Sequence, residues 1–202
     1  MTAEEVETFR RCMSVGGVAL FPTDTVYGLA TEPESKEGVR RLYGLKGRVP
    51  DKPAAVMFFD LDLALAALPE LGPRTAQAVG RLLPAAITLV LPNPARRYPL
   101  ACGPVPDRLG LRVPLLDGAL APLAAARWPV LQSSANRTGG PDVRRLADVE
   151  PSVAAGVDLA LDAGELPGTA STVVDLGEYE LEGRHAVIRE GAVPADQVAA
   201  EL

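Results

Sequence analysis

Residues 21–29 read Phe-Pro-Thr-Asp-Thr-Val-Tyr-Gly-Leu and continue a short apolar run that begins at Val18. The run predicts a β-strand, and Pro22 ends it because proline has no backbone N–H to donate to a neighbouring strand. In open α/β sheets, ligands bind beyond the ends of strands. Thr23 and Thr25 follow this strand end and share one face of an extended chain, which makes them candidate ligand-binding residues. A turn capped by Asp24 is the alternative interpretation.

Helical and extended patterns alternate on both sides of this segment. Capping residues predict helices over Ala3–Val15 and over residues 35–45. Helical patterns also cover Leu61–Leu68, Arg74–Leu83, Gly118–Ala126, Arg145–Ala155 and Asp196–Leu202. Strands are predicted at Tyr27–Ala30, Ala54–Phe59, Ile87–Leu91, Gly110–Val113, Val130–Ser133, Val157–Leu161, Thr172–Leu176 and His185–Arg189. Five prolines make Pro92–Leu109 a predicted surface loop.

This order of elements predicts an α/β fold in a single domain spanning residues 1–202. The sheet is expected to be twisted and mixed parallel/antiparallel, with helices covering it, because the strands near the C-terminal end follow one another closely.

The composition limits the possible chemistry. The chain has 202 residues, a net charge of −6, two cysteines and one histidine. A zinc site needs about four ligands, usually Cys and His, so no metal ligand is predicted. The acidic N-terminus and the short apolar runs predict a cytoplasmic protein without membrane contact. The negative charge and the 4% aromatic content imply that direct RNA binding is weak at most.

Basic residues concentrate between positions 36 and 52, where all three lysines of the chain lie. An ammonium group is a compact charge that suits a phosphate. If Lys46-Gly47-Arg48 is extended, its two cationic side chains point the same way, about 7 Å apart at ~3.3 Å per residue. With Lys52 nearby, the segment predicts a phosphate site, although a solvated basic loop would have the same composition.

Polar residues also follow or lie within later strands. Ser134 and Asn136 come after the strand Val130–Ser133 and offer hydroxyl and amide groups to a ligand, although a simple turn has a similar composition. Arg112 lies among strand apolar residues, and a buried arginine requires an anionic partner. That partner is either a carboxylate of this chain or a bound carboxylate or phosphate. Ser171 and Arg189 begin and end the last two predicted strands.

Taken together and in order, these segments resemble the YrdC/TsaC family, the threonylcarbamoyl-AMP synthases, in its short single-domain form. The matching motifs are Pro22-Thr23-Asp24-Thr25-Val26-Tyr27-Gly28-Leu29, Lys46-Gly47-Arg48 with Lys52-Pro53, Thr88-Leu89-Val90-Leu91, Leu111-Arg112-Val113-Pro114, Ser134-Ala135-Asn136, Ser171-Thr172-Val173 and Ile188-Arg189-Glu190-Gly191. Two positions depart from the family pattern. Ala85-Ala86 replaces a usual Gly-Pro, and Met57 stands where some relatives have a threonine-contacting histidine.

The resemblance implies a large concave cavity and a reaction of L-threonine, bicarbonate and ATP that gives threonylcarbamoyl-AMP and pyrophosphate. It implies that Mg²⁺ bridges the phosphates and that threonylcarbamoyl transferase proteins use the product to modify tRNA. Lys46 and Arg48 would be catalytic. ATP would be bound by Arg48, Lys52, Asn136, Arg144 and Arg189, and threonine by Thr25, Arg112, Ser134 and Ser171.

Two other functions remain open from the sequence. Related domains make other carbamoyl-adenylates, and the basic segment together with Arg96-Arg97 permits an RNA-binding module in translation or ribosome assembly. Threonine-dependent pyrophosphate release distinguishes the first alternative, and a salt-dependent RNA shift without ATP turnover distinguishes the second.

Overall fold

A mixed β-sheet crosses the protein, and the computed structural model describes residues 1–47 and 52–202. Within these residues the sheet has nine strands: β1 (Ala19–Phe21), β2 (Gly28–Thr31), β3 (Ala55–Met57), β4 (Ile87–Pro92), β5 (Arg108–Arg112), β6 (Val130–Ser134), β7 (Leu159–Ala160), β8 (Thr172–Asp175) and β9 (Ala186–Arg189). Their spatial order is β7-β1-β2-β6-β3-β5-β4-β8-β9. The pairs β1–β7, β3–β5 and β4–β8 are parallel and the other neighbours antiparallel. The predicted α/β class and mixed sheet are therefore confirmed.

The helices lie between the strands in the chain, and several begin where a capping residue was predicted. They are α1 (Ala3–Ser14), α2 (Lys36–Leu45), α3 (Leu61–Ala67), α4 (Pro73–Leu82), α5 (Pro99–Cys102), α6 (Pro151–Ala154), α7 (Tyr179–Glu182) and α8 (Ala195–Glu201), with 3-10 segments at Gly118–Ala126 and Leu146–Asp148. Thr2 accepts from the backbone N–H of Glu5, and the Glu5 carboxylate accepts from Thr2 N–H in return. Ser35 Oγ accepts from Gly38 N–H at 3.1 Å and caps α2.

One face of the sheet, here called the closed face, is packed against helices. Alternate strand residues such as Leu89 and Leu111 are fully buried there and pack in one cluster with apolar residues of α2, α3 and α4, such as Leu42 and Val79. This alternation follows from the period of two in a β-strand, which sends successive side chains to opposite faces. Burial of the closed face supplies most of the hydrophobic stabilisation of the sheet.

The opposite face, here called the open face, is only partly covered. Phe9 of α1 packs against Phe21 and Phe59 with ring centroids 5.4 and 5.9 Å apart, and the 3-10 segment Gly118–Ala126 adds apolar side chains to this second cluster. The cluster covers the β1 end of the sheet and includes Met57. The open-face residues of β4, β5 and β8 lie outside it and are available to a ligand.

Two predicted segments differ from the observed structure. Pro92–Leu109 is not a simple surface loop: Asn93 is buried and accepts from Arg97 N–H, and Pro99 begins the short helix α5, which buries Cys102. Proline is well tolerated in the first turn of a helix, so the prolines were misinterpreted as loop markers. The helix predicted over Arg145–Ala155, with an interruption at Pro151, is two separate short pieces: Leu146–Asp148 is a 3-10 segment, and Pro151 starts α6.

Candidate functional site

A cavity of about 480 Å³ lies over the uncovered part of the open face. Its floor is formed by alternate residues of neighbouring strands, with Gly110 of β5 beside Ala55 of β3 at the centre. A Cβ atom at Gly110 would lie 3.2 Å from Ala55 Cα and 3.3 Å from the Ala54 carbonyl oxygen. The floor is therefore deep because both central side chains are very small.

A second, smaller cavity of about 200 Å³ adjoins the first. Lys46, Lys52 and Asn136 line it, and Ser133 and Ser134 line both cavities. The end of β6 is thus a wall shared by the two spaces. A ligand with two chemically different parts could place one part on each side of this wall.

The ammonium group of Lys46 is held at the smaller cavity by the end of β6 and the residues that follow it. Its Nζ donates to the carbonyl oxygens of Ser134 and Asn136, the latter at 2.6 Å, and lies 3.3 Å from Asn136 Oδ1. The backbone N–H of Thr138 donates to the Lys46 carbonyl oxygen at 2.9 Å, which fixes the end of α2 to the same segment. A largely buried, positioned ammonium group provides a point charge for a phosphate or carboxylate.

Arg112, at the end of β5, pairs with a carboxylate of this chain. Its Nη2 donates to Asp24 Oδ1 and to Thr25 Oγ1, each at 2.5 Å. Burial lowers the pKa of the Arg112 guanidinium, and the charge of Asp24 opposes that shift. Of the two partners that the sequence left open for Arg112, the structure contains Asp24. The Nε of Arg112 is buried without a hydrogen-bond partner among the residues that the structure describes.

The hydroxyl of Thr25 belongs to a buried hydrogen-bond network beside the larger cavity. Thr23 Oγ1 donates its one proton to the Val26 carbonyl oxygen at 2.7 Å, so the 2.9 Å contact between the two threonine hydroxyls is donated by Thr25. Thr25 Oγ1 already accepts from Arg112. Thr25 is fully buried, so its hydroxyl joins Thr23 to Arg112 at the edge of the cavity.

A third polar group lies across the floor at the start of β8. Arg189 Nη2 donates to the Ser171 carbonyl oxygen at 2.7 Å and lies 3.2 Å from Ser171 Oγ, which is 2.8 Å from Thr88 Oγ1. A register shift in the β8–β9 pairing accompanies Ile188, and both Ile188 and Arg189 line the cavity. β-Bulges redirect side chains in this way. Arg189 is exposed and can turn towards an anion.

The structure therefore brings together most of the predicted site residues. Thr25, Arg112, Ser134, Ser171 and Arg189 line the larger cavity, and Lys46, Lys52, Ser134 and Asn136 line the smaller one. Arg48 lies outside the described residues.

Arg144 lines neither cavity. It pairs with Glu165 at 2.9 Å, and its Nε donates to the Leu166 carbonyl oxygen at 3.3 Å. Its side chain packs on Gly168, whose N–H donates to the Thr25 carbonyl oxygen at 2.8 Å. Arg144 thus supports a segment behind the cavity wall.

Some lining residues were not found from the sequence. Arg108 lines the larger cavity and donates to Asp175 at 2.9 Å, and it occupies the same face of β5 as Gly110 and Arg112. The alternation 108, 110, 112 is the signal that could have identified it. Met57 is fully buried beneath α1 and lines neither cavity. Met57 therefore does not take the place of the threonine-contacting histidine that some relatives have at this position.

Two features are absent from the part of the chain that the structure describes. In residues 1–47 and 52–202, no helix is both long and apolar enough to cross a membrane. Over the same ranges, no cluster of three or more His, Cys, Asp or Glu side chains could hold a metal ion.

The open sheet face and its clustered cations and hydroxyls define an α/β domain suited to a small anionic ligand. The chain belongs to the Sua5/YciO/YrdC family, whose model, described as "Telomere recombination", matches residues 11–191. It is 33% identical over 162 residues to a threonylcarbamoyl-AMP synthase of Xanthomonas campestris, covering 77% of this chain and 83% of that protein.

A second relative is the threonylcarbamoyl-AMP synthase of Pyrococcus abyssi, 29% identical over 187 residues and 91% of this chain. The chain spans 53% of that protein's length. The fold also matches the crystal structure of P. abyssi Sua5 complexed with L-threonine, with a TM-score of 0.85 and 24% identity over 100% of this chain and 58% of that one.

Proposed function

We propose that this chain, as one domain spanning residues 1–202, makes L-threonylcarbamoyladenylate from L-threonine, bicarbonate and ATP and releases pyrophosphate. The observation that carries the proposal is the wall at Ser133 and Ser134, which separates a cavity containing buried Arg112 from one containing buried Lys46. The names of the Xanthomonas and Pyrococcus relatives support the same reaction.

The chemistry requires positioning and charge neutralisation rather than a protein nucleophile. The threonine amine and bicarbonate condense to a carbamate with loss of water. A carbamate oxygen then attacks the α-phosphorus of ATP, and the bond to the β-phosphate oxygen breaks to release pyrophosphate. Lys46 would neutralise charge on the phosphates or the carbamate from the position that its carbonyl partners impose.

In this proposal threonine lies in the larger cavity, and ATP extends from the smaller cavity towards Arg189 in the larger one. Thr25, Arg112, Ser134 and Ser171 would hold threonine, with Thr25 acting through its hydrogen bond to Arg112. Lys52, Asn136 and Arg189 would bind ATP, and we assign the same role to Arg48 and Arg144. Arg144 would act after a change in its ion pair with Glu165.

Mg²⁺ enters this scheme as part of the substrate MgATP. The described residues provide no acidic cluster for a resident ion, and Asp142 is one carboxylate at the rim of the larger cavity. Phosphate oxygens and water would therefore supply most of its ligands.

Three of the described cations between residues 36 and 47 offer little free charge to RNA. Arg40 pairs with Glu37 at 2.5 Å, Arg41 pairs with Asp158 at 2.8 Å, and Lys46 is buried. Neutralised cations release few counterions from a nucleic acid. We therefore place the tRNA step with separate threonylcarbamoyl transferase proteins that consume the adenylate.

The decisive experiment measures pyrophosphate release from ATP and bicarbonate with and without L-threonine. We expect release to depend on threonine, and Lys46→Met to reduce the rate about 10²–10³-fold through loss of a positioned charge. Lys36→Met, at the exposed first turn of α2, is the matched control and should retain the rate. Equal release without threonine, or release on carbamoyl phosphate instead, would overturn the assignment.

A further inference from the structure

We propose that Asp24 is a positioning residue for amino-acid binding, which it controls by fixing the guanidinium of Arg112. The inference rests on the proposed function, because it assumes that Arg112 meets the carboxylate of threonine. Asp24 lines neither cavity, whereas Arg112 and Thr25 line the larger one. Asp24 therefore makes no direct contact with a ligand and acts through Arg112 and Thr25.

Both carboxylate oxygens of Asp24 are held by one segment that is distant in the chain, residues 112–115. Its Oδ1 accepts from Arg112 Nη2 at 2.5 Å, and its Oδ2 accepts from the backbone N–H of Leu115 at 3.0 Å. The relative exposure of the side chains is 7% for Asp24 and 4% for Arg112. A carboxylate held at both oxygens cannot rotate freely, so it sets the direction of the guanidinium.

Arg112 needs such a partner because its surroundings disfavour a charge. Its side chain lies between the buried second cluster, which contains Met57 at the paired position of β3, and the cavity. Arg189 adds a repulsive positive charge from across the floor. Without Asp24, a buried cation would remain unpaired, which favours either a displaced side chain or a destabilised fold.

The pair also determines what kind of ligand fits. Asp24 and Arg112 together carry no net charge, so the additional positive charge for an anion at this end comes from Arg189. A zwitterionic amino acid adds no net charge. Its carboxylate can meet Arg112 at the cavity wall.

The test uses Asp24→Asn, which keeps the size of the side chain and removes its charge. We expect threonine affinity, measured by calorimetry, to fall about 10–100-fold, while the KM for ATP changes less than about threefold. Asp158→Asn is the matched control, because Asp158 also bridges an arginine, Arg41, and a backbone N–H, that of Val18. It lines neither cavity, and threonine affinity should be unchanged.

A double-mutant cycle separates positioning from general stabilisation. In an Arg112→Gln background, Asp24→Asn should change threonine affinity less than twofold, because the residue through which it acts is gone. An equal loss in both backgrounds, or equal increases in the two KM values, would overturn the proposal. If Asp24→Asn does not fold, Asp24→Glu retains the charge but displaces it and is read in the same way. Calorimetry reports on Asp24 even if pyrophosphate release, and with it the proposed function, fails.

Discussion

The two faces of the sheet are built from the same strands but have opposite properties. On β5, Leu111 is fully buried against the helices, while its neighbours Gly110 and Arg112 face the cavity. On β4, Leu89 is in the closed-face cluster and Thr88 lines the cavity. One strand therefore serves packing and ligand binding at adjacent positions, because successive side chains point in opposite directions.

The cavity on the open face therefore depends on a stable closed face. The open face carries a glycine at the cavity centre and a buried ion pair, and neither provides the hydrophobic burial that holds a sheet together. The closed face supplies that burial. Substitutions on the closed face should change stability first, and substitutions of the cavity-lining residues of the open face should change activity first.

The largest effect is expected for Leu111→Ala on the closed face. Removal of a fully buried leucine should lower the free energy of unfolding by about 2–5 kcal/mol, measured by chemical denaturation. Leu181→Ala, at a position 88% exposed, should change it by less than about 0.5 kcal/mol. A loss below about 1 kcal/mol at Leu111 would contradict the assigned role of this face.

Arg189→Ala on the open face should reduce activity and leave stability nearly unchanged. We expect kcat/KM for pyrophosphate release to fall about 10²–10³-fold through loss of a charge at the cavity, with unfolding changed by less than about 0.5 kcal/mol. The control is Arg184→Ala, whose side chain pairs with Glu178 and Glu182 and does not line the cavity. Comparable losses in both variants would remove Arg189 from the site.

Tyr27 links the closed-face cluster, in which its ring is buried, to the segment after β7, because its hydroxyl lies 2.7 Å from Asp162 Oδ1. Burial first, and then Asp162, raise the pKa of Tyr27 from 10.0 to about 12. Its contribution to stability should therefore be complete below about pH 10 and be lost as the pH rises towards 12.

The measurement compares Tyr27→Phe with the original chain. At neutral pH the variant should be about 1 kcal/mol less stable, because it lacks the hydroxyl contacts. The difference in unfolding midpoint should narrow between pH 10 and pH 12. A difference that stays constant over this range would show that ionisation of Tyr27 is not linked to folding.

The smallest effect is expected for Gly110→Ala. The added Cβ would meet Ala55 Cα at 3.2 Å and raise the cavity floor by one methyl group. We expect the KM for threonine to rise about three- to tenfold and the free energy of unfolding to fall by about 1 kcal/mol, because the contacted atoms belong to the backbone. Gly80→Ala, in α4 with no atom within 4 Å of the new Cβ, should leave both KM values unchanged. Equal KM values in the two variants would exclude Gly110 from the ligand surface.

Much of the closed face could be predicted from the sequence, because its signals are local. The cap at Ser35 placed α2, and the apolar run Ile87–Leu91 placed β4. These patterns depend on residues three or four positions apart or on simple alternation. The mixed sheet could also be predicted, but its spatial order could not, because strand pairing joins distant segments.

The open face could be predicted only in part. Individual residues such as Lys46 and Ser134 were identified by their position at element ends, and the structure places both at the smaller cavity. The partner of Arg112 could not be chosen, since Asp24 is 88 positions away in the chain. Arg108 was missed because the proline-rich segment before it was interpreted as loop, so β5 was predicted to begin at Gly110 rather than Arg108.

The wall formed by Ser133 and Ser134 has a consequence for attempts to redesign the chain. Because the same two residues border both cavities, a substitution made there to change one cavity will also alter the other. Substitutions that change substrate selectivity are better introduced at Thr88 or Val173, which line only the larger cavity. Evolution of new specificity in this scaffold is therefore least constrained along β4 and β8.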